Sequence, residues 1–159
     1  MDVVTVARSQ QDGFDIALRR RTDGQRVIDE LIVNGAFAMD SEQTFSEQLL
    51  AEVLGPTPGA ALVAGLGLGY TTSRLLELGA TTVDVVEISS ALIGWAYEGL
   101  TEVLGQIAHD PRVRLHRGDI ADVLCAPPTL PGFFGPWDAI ALDVDNGPDF
   151  LIVAQNERV

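Results

Sequence analysis

Three glycines on alternate positions, Gly65, Gly67 and Gly69, separate the apolar run 61–64 from a helical pattern that begins at Tyr70. Glycine at such a junction permits backbone torsions that a Cβ forbids and lets a ligand rest on the main chain. Eighteen residues after Gly69 a second apolar stretch, beginning at Val83, ends in an acid, Glu87. In nucleotide-binding strand–turn–helix units an acid at that place accepts hydrogen bonds from ribose hydroxyls. Alone, the loop also reads as an ordinary turn and Glu87 as a strand-end surface acid; together they point to a nucleoside site. The dinucleotide fingerprint is not met, because Tyr70 stands at its last glycine. That weighs against NAD and towards a nucleoside without a pyrophosphate, with S-adenosylmethionine or its decarboxylated form as candidates. A P-loop is excluded because the chain contains no lysine to reach a triphosphate.

Further acids fall at strand ends. Asp143 closes the apolar run that follows Trp137, which puts it in the switch-point crevice where such sheets bind ligands. Asp119 follows a shorter strand pattern and reads equally as a helix N-cap. Asp145 reads equally as the acid of an Asp-Asn-Gly turn. The two histidines, His109 and His116, match no metal-ligand spacing, so no metal site is expected. The single cysteine, Cys125, excludes an intramolecular disulfide and reads as a buried or incidental thiol.

The elements that must position these residues follow from pattern. Between residues 2 and 39, short apolar–polar alternations are broken by Asp12-Gly13, Asp23-Gly24 and Asn34-Gly35, which predicts a small antiparallel sheet. Thr44 to Glu47 forms a capping-box pattern opening a helix that runs to about Leu54. After the Gly55 to Gly59 break the order is strand 60–64, helix 70–78, strand 82–87, helix 90–104, strand 112–116, a helical turn after Asp119, and strand 137–143. Strands separated by helices imply a parallel sheet with right-handed crossovers, hence an α/β, Rossmann-like fold. Trp95 and Tyr97 on the long helix are explained first by packing, and the proline- and glycine-rich stretch 126–136 is expected to cover one edge of the sheet. Two parts are expected, an N-terminal element over 1–54 and a nucleoside-binding domain over 60–159 that stops after its fourth parallel strand. Either the chain is a truncation, or a second copy covers the open sheet edge.

Composition sets the outer limits. A chain of 159 residues, 47% hydrophobic and 21% charged, suits one domain with a real core. A formal charge of −13, with all ten basic residues arginine, argues against a nucleic-acid partner. The one basic run, Arg19 to Arg21, is explained as a solvated strand end. The acidity is compatible with a cationic partner such as a polyamine, and equally with plain solubility. No basic segment followed by a long apolar one opens the chain, and no run is long enough to span a membrane, so no membrane partner and a cytoplasmic location are expected.

From about Leu31 to Pro148 the order of the glycine loop, Val85-Val86-Glu87, Asp110 to Asp119 and Trp137 to Asp143 resembles the spermidine synthase family of aminopropyltransferases. That family shares the Rossmann-like fold of class I methyltransferases. The resemblance implies that Gly65, Gly67 and Gly69 back the amino-acid or aminopropyl end of the co-substrate, that Glu87 holds the ribose, and that Asp119 meets the adenine amino group. It also implies that Asp143 binds the attacking amine of a small-molecule acceptor and takes its proton, with Asp145 helping to hold the cation. The sequence departs from the family where a loop aspartate is usual (here Leu68), at the N-terminal glutamine (Ala38) and at the helix tyrosine (Phe45). In the stretch from Asp143 to Pro148 the second acid is displaced to Asp145. A methyltransferase using S-adenosylmethionine itself is the alternative, although the acid usual before its first glycine is Val63 here. A non-catalytic nucleoside-binding domain is the third reading.

Overall fold

A computed structural model describes residues 2–126 and 130–144. The first four strands, β1 (Asp2–Ser9), β2 (Ile16–Asp23), β3 (Arg26–Val33) and β4 (Ala36–Asp40), form an antiparallel sheet in sequence order. The turn chemistry read from sequence is realised. Asn34 and Gly35 both take positive φ between the paired Val33 and Ala36, as a two-residue type I′ turn demands. Leu18, Ile16, Leu31 and Val33 form the buried face of this sheet.

Arg19 to Arg21 is not a solvated strand end. Cross-strand register sets Arg19 against Glu30 and Arg20 against Asp29, and each pair forms a salt bridge, at 3.1 Å and 2.7 Å. Arg21 reaches the same Glu30 at 3.0 Å. Arg20 also donates to the carbonyl of Leu100 at 2.9 Å, which ties this sheet to the second half of the chain.

Helix α1 (Phe45–Val53) follows, but the capping box does not form, because Thr44 caps no backbone N–H with its side chain. Asp40 Oδ1, at the end of β4, accepts from the N–H groups of Glu42 and Gln43 in the loop before the helix, and Gln48 donates to Thr44 Oγ1. Glu47 is thereby left outside the cap.

The second half alternates β5 (Ala60–Ala64), α2 (Tyr70–Glu77), β6 (Thr82–Glu87), α3 (Ser90–Glu98), α4 (Glu102–Ala108), β7 (Val113–Arg117), α5 (Ile120–Cys125) and β8 (Ala139–Leu142). Its strands are parallel in the order β7-β6-β5-β8. Residues 61–64 of the inner strand β5 are fully buried, which is why they read as an unbroken apolar run. The single helix expected over 90–104 is two. Gly99, in the left-handed region at φ 68°, ends α3, and the Thr101 hydroxyl accepts from Leu104 N–H to start α4. Trp95 packs in the core, Tyr97 meets His109 edge to face, and Cys125 is exposed rather than buried.

Residues 130–136 lie over β6 and the edge strand β7. Phe133 stacks on His116 at 3.6 Å, and Arg114 sits over the Phe134 ring. Their anchor is Asp84, fully buried in β6. It accepts from His116 Nε2 (2.7 Å), Phe134 N–H (2.9 Å) and Trp137 Nε1 (2.7 Å). Among the described residues no helix is long and apolar enough to cross a membrane.

Burial alone would raise the Asp84 carboxyl, but the bonds from His116, Trp137 and Phe134 outweigh it and hold the group below the usual carboxylate range. A depressed folded value stabilises the fold above the unfolded value and loses that stabilisation as pH falls through the folded one. Thermal melts of Asp84→Asn at pH 7 should therefore show a loss of roughly 2–4 kcal/mol. Its stability should also fall less than that of the wild type on acidification below about pH 4. Parallel acid profiles for the two proteins would contradict this role of Asp84.

Candidate functional site

The C-terminal ends of all four parallel strands open onto one cavity of about 510 Å³. Gly65 and Gly67 follow β5, Glu87 ends β6, Asp119 follows β7, and Asp143 follows β8; all of them line it. The opposite wall comes from the antiparallel sheet and α1, with Phe14, Leu31, Met39 and Glu47 among its residues. The hairpin between β1 and β2 holds this wall in place. Asp12, at φ 58°, accepts from Ser90 N–H (2.9 Å), Ser90 Oγ (2.6 Å) and Arg117 (2.7 Å).

Gly65 is at φ 92°, and a Cβ there would run into the carbonyl oxygen of Asp143. The same contact region carries the bond from Asp143 N–H to Ala64 O at 2.8 Å. Glycine is therefore required so that the exit of β8 can lie against the loop, bringing Asp143 to the cavity. Gly69 has a different task. It is the N-cap of α2, at φ 90°, and packs against Ile107 of α4 rather than lining the cavity.

Glu87 is the hub of the loop. Its Oε2 accepts from Leu66 N–H and its Oε1 from Ser89 N–H, both at 2.8 Å. Burial pushes the carboxyl upward, while the N–H groups of Leu66, Ser89 and Ile88 oppose that shift. Each carboxylate oxygen accepts more than one bond, so capacity for ribose hydroxyls remains. Asp119 serves as the N-cap of α5, Oδ1 accepting from Ala121 N–H at 2.8 Å, while its side of the helix start lines the cavity.

Asp143 is held by a residue that the sequence did not mark. The buried hydroxyl of Thr71, in the first turn of α2, donates to Asp143 Oδ2 at 2.8 Å and lies 3.3 Å from the carbonyl of Glu47. Glu47 and Met39 were likewise not singled out for a site. Asp145 lies outside the described residues. Of the family departures, Ala38 lines the cavity, Leu68 is buried in the core, and Phe45 is exposed. His116 is engaged by Asp84, and the described residues contain no group of three or more His, Cys, Asp or Glu arranged to hold a metal.

Among the described residues, the charged side chains lining the cavity are Glu47, Glu87, Asp119 and Asp143, with no arginine or histidine beside them. The rest is largely apolar. Such a lining suits a ligand with an apolar body, hydroxyl or amine donors, and positive charge.

No protein-family model and no curated protein matches the chain. Its fold is similar to solved structures of spermidine synthase. One, from Thermotoga maritima, superposes with a TM-score of 0.71 at 21% identity, over 91% of this chain and 47% of that one. Another, a spermidine synthase in complex with the transition-state analogue AdoDATO, gives 0.70 at 20% identity, over 91% and 47%. The chain thus spans about half the length of these proteins. At this identity the likeness shows the Rossmann-like fold with its preceding antiparallel sheet.

The close approach at Gly65 is measurable against a control. Gly79 has nearly the same backbone, φ 90°, but open space at its Cβ position. Gly79→Ala should cost about 1–2 kcal/mol from backbone strain alone, and Gly65→Ala at least about 2 kcal/mol more. Equal losses in thermal or urea unfolding would contradict the packing of Asp143 against the loop.

Proposed function

We propose that this chain binds a decarboxylated S-adenosylmethionine-type nucleoside and transfers its aminopropyl group to a small amine acceptor, with Asp143 as the general base. The observation that carries this reading is that the charged side chains around the cavity, among the described residues, are all acidic. Both reactants are cationic, one a sulfonium and the other an ammonium, and the decarboxylated ligand has no anion needing a basic partner. The full S-adenosylmethionine of the methyltransferase reading would bring a carboxylate into this lining, where Glu47, Glu87 and Asp143 would repel it.

The residues divide the work. Glu87 accepts from the ribose hydroxyls, and Asp119 faces the adenine amino group with the oxygen not engaged by Ala121. Asp143, oriented by Thr71, accepts a proton from the acceptor ammonium and so frees its lone pair. That lone pair attacks the aminopropyl carbon next to sulfur. The C–N bond forms as the C–S bond breaks, its electron pair neutralising the sulfonium and leaving methylthioadenosine. Glu47, across the cavity on α1, offers a second carboxylate for the cationic acceptor. The proposal extends to a cytoplasmic protein whose acidic surface attracts polyamine-like substrates.

The test is methylthioadenosine release from the decarboxylated nucleoside with putrescine as acceptor. Asp143→Asn should lower turnover by about 10²–10⁴-fold and leave nucleoside affinity within about threefold, since only the proton-accepting role is lost. Turnover by Asp143→Asn at the wild-type rate would refute the assignment of the base. Thr71→Val should lower turnover by about tenfold or more through misplacement of Asp143.

A further inference from the structure

Four of the five backbone N–H groups from Gly65 to Gly69 are engaged within the protein. Gly65 N–H bonds to Val86 O, Leu66 N–H to Glu87 Oε2, and Gly69 N–H to Leu66 O. The N–H of Leu68 points to a side chain from the opposite wall, the thioether of Met39, with a nitrogen–sulfur distance of 3.3 Å. Met39 also presses on the loop, since a Cβ at Gly67 would lie 2.8 Å from its Sδ.

A bulge makes this contact available. The pairing of β3 with β4 runs Leu31 to Met39 and then Ile32 to Phe37, so Ala38 is an extra residue on β4. Side chains on a regular strand alternate between faces, whereas a bulge re-aims them. Ala38 and Met39 are consecutive, yet both line the cavity.

Resting on the nucleoside reading above, we propose that Met39 is a specificity-determining residue that selects against a carboxylate on the ligand tail. An unengaged loop N–H is the natural partner for a carboxylate in a cavity otherwise lined by Glu47, Glu87 and Asp143. The Met39 sulfur takes the Leu68 N–H from within and covers Gly67 with a polarizable, uncharged group. An aminopropyl tail loses nothing there, because its ammonium is served by the carboxylates. The carboxylated tail loses the Leu68 N–H as a compensating donor, so discrimination comes from a charge left under-paired rather than from a new attraction.

Calorimetric titration of the whole protein with decarboxylated S-adenosylmethionine, S-adenosylmethionine and methylthioadenosine tests this. The wild type should bind the decarboxylated ligand more tightly than the carboxylated one. Met39→Ala should shrink that ratio by about fivefold or more through tighter binding of the carboxylated ligand, with methylthioadenosine, which has no charged tail, within about twofold of wild type. An unchanged ratio with methylthioadenosine still bound would overturn the role of Met39 alone. A wild type without any preference would overturn the functional reading and this inference with it. Should Met39→Ala lose methylthioadenosine, Met39→Leu, which keeps the volume and removes only the acceptor, decides: a ratio lowered by about threefold or more supports the role, an unchanged one refutes it.

Discussion

A carboxyl taken out of water needs donors to replace its hydration, and the buried Glu87 draws them from backbone rather than from a cation, which opposes the upward push of burial without cancelling it. Its two oxygens take the N–H groups of Leu66, in the glycine loop, and Ser89, at the start of α3. Two crossovers that would otherwise be independent are thereby fixed to the end of one strand. Once Leu66 is fixed, Gly65 is pinned between Val86 and the exit of β8, and the position of Asp143 follows. The geometry of the cavity floor depends on this one side chain.

The roof is set by a separate group of contacts. The β1–β2 hairpin reaches the start of α3 and the end of β7 through Asp12, and β2 reaches the α3–α4 junction through Arg20. An antiparallel sheet attached at both places cannot drift over the cavity, so Phe14, Met39 and the residues of α1 face the strand ends in a defined way. The site therefore belongs to neither half alone. The sheet contributes apolar surface and a thioether, the parallel strands contribute acids, and the apolar wall strengthens the electrostatic consequences of the acidic side chains.

How much of this was legible in the chain depended on the distance over which each interaction acts. The strands β5 and β6 and the helix between them match the sequence reading to within a residue, because buried apolar runs and glycine punctuation are local signals. Gly65, Gly67, Glu87 and Asp143 stand out by their strand-end positions and Asp119 by the family resemblance, and they converge on one cavity. The break between α3 and α4 was overlooked although Gly99 and Thr101 carry its terminator and cap, since the apolar pattern continues across it. Thr44 makes no side-chain cap, Asp40 bonds the loop N–H groups of Glu42 and Gln43 ahead of the helix, and the arginine run finds its partners on the next strand. Thr71 and Met39 left no trace in the pattern, their partners being 72 and 29 residues away along the chain. Asp84 was hidden for the same reason, an acid in an apolar strand whose donors arrive from later elements.

Nucleoside binding through Glu87, in the cavity between the antiparallel sheet and the strand ends, is what the proposed function requires first. A crystal structure of the protein grown with saturating methylthioadenosine tests it most directly. Adenosine is expected within the cavity, with ribose hydroxyls within about 3.2 Å of the Glu87 carboxylate and the sulfur directed towards Asp143. A nucleoside bound elsewhere, or a ribose turned away from Glu87, would contradict it.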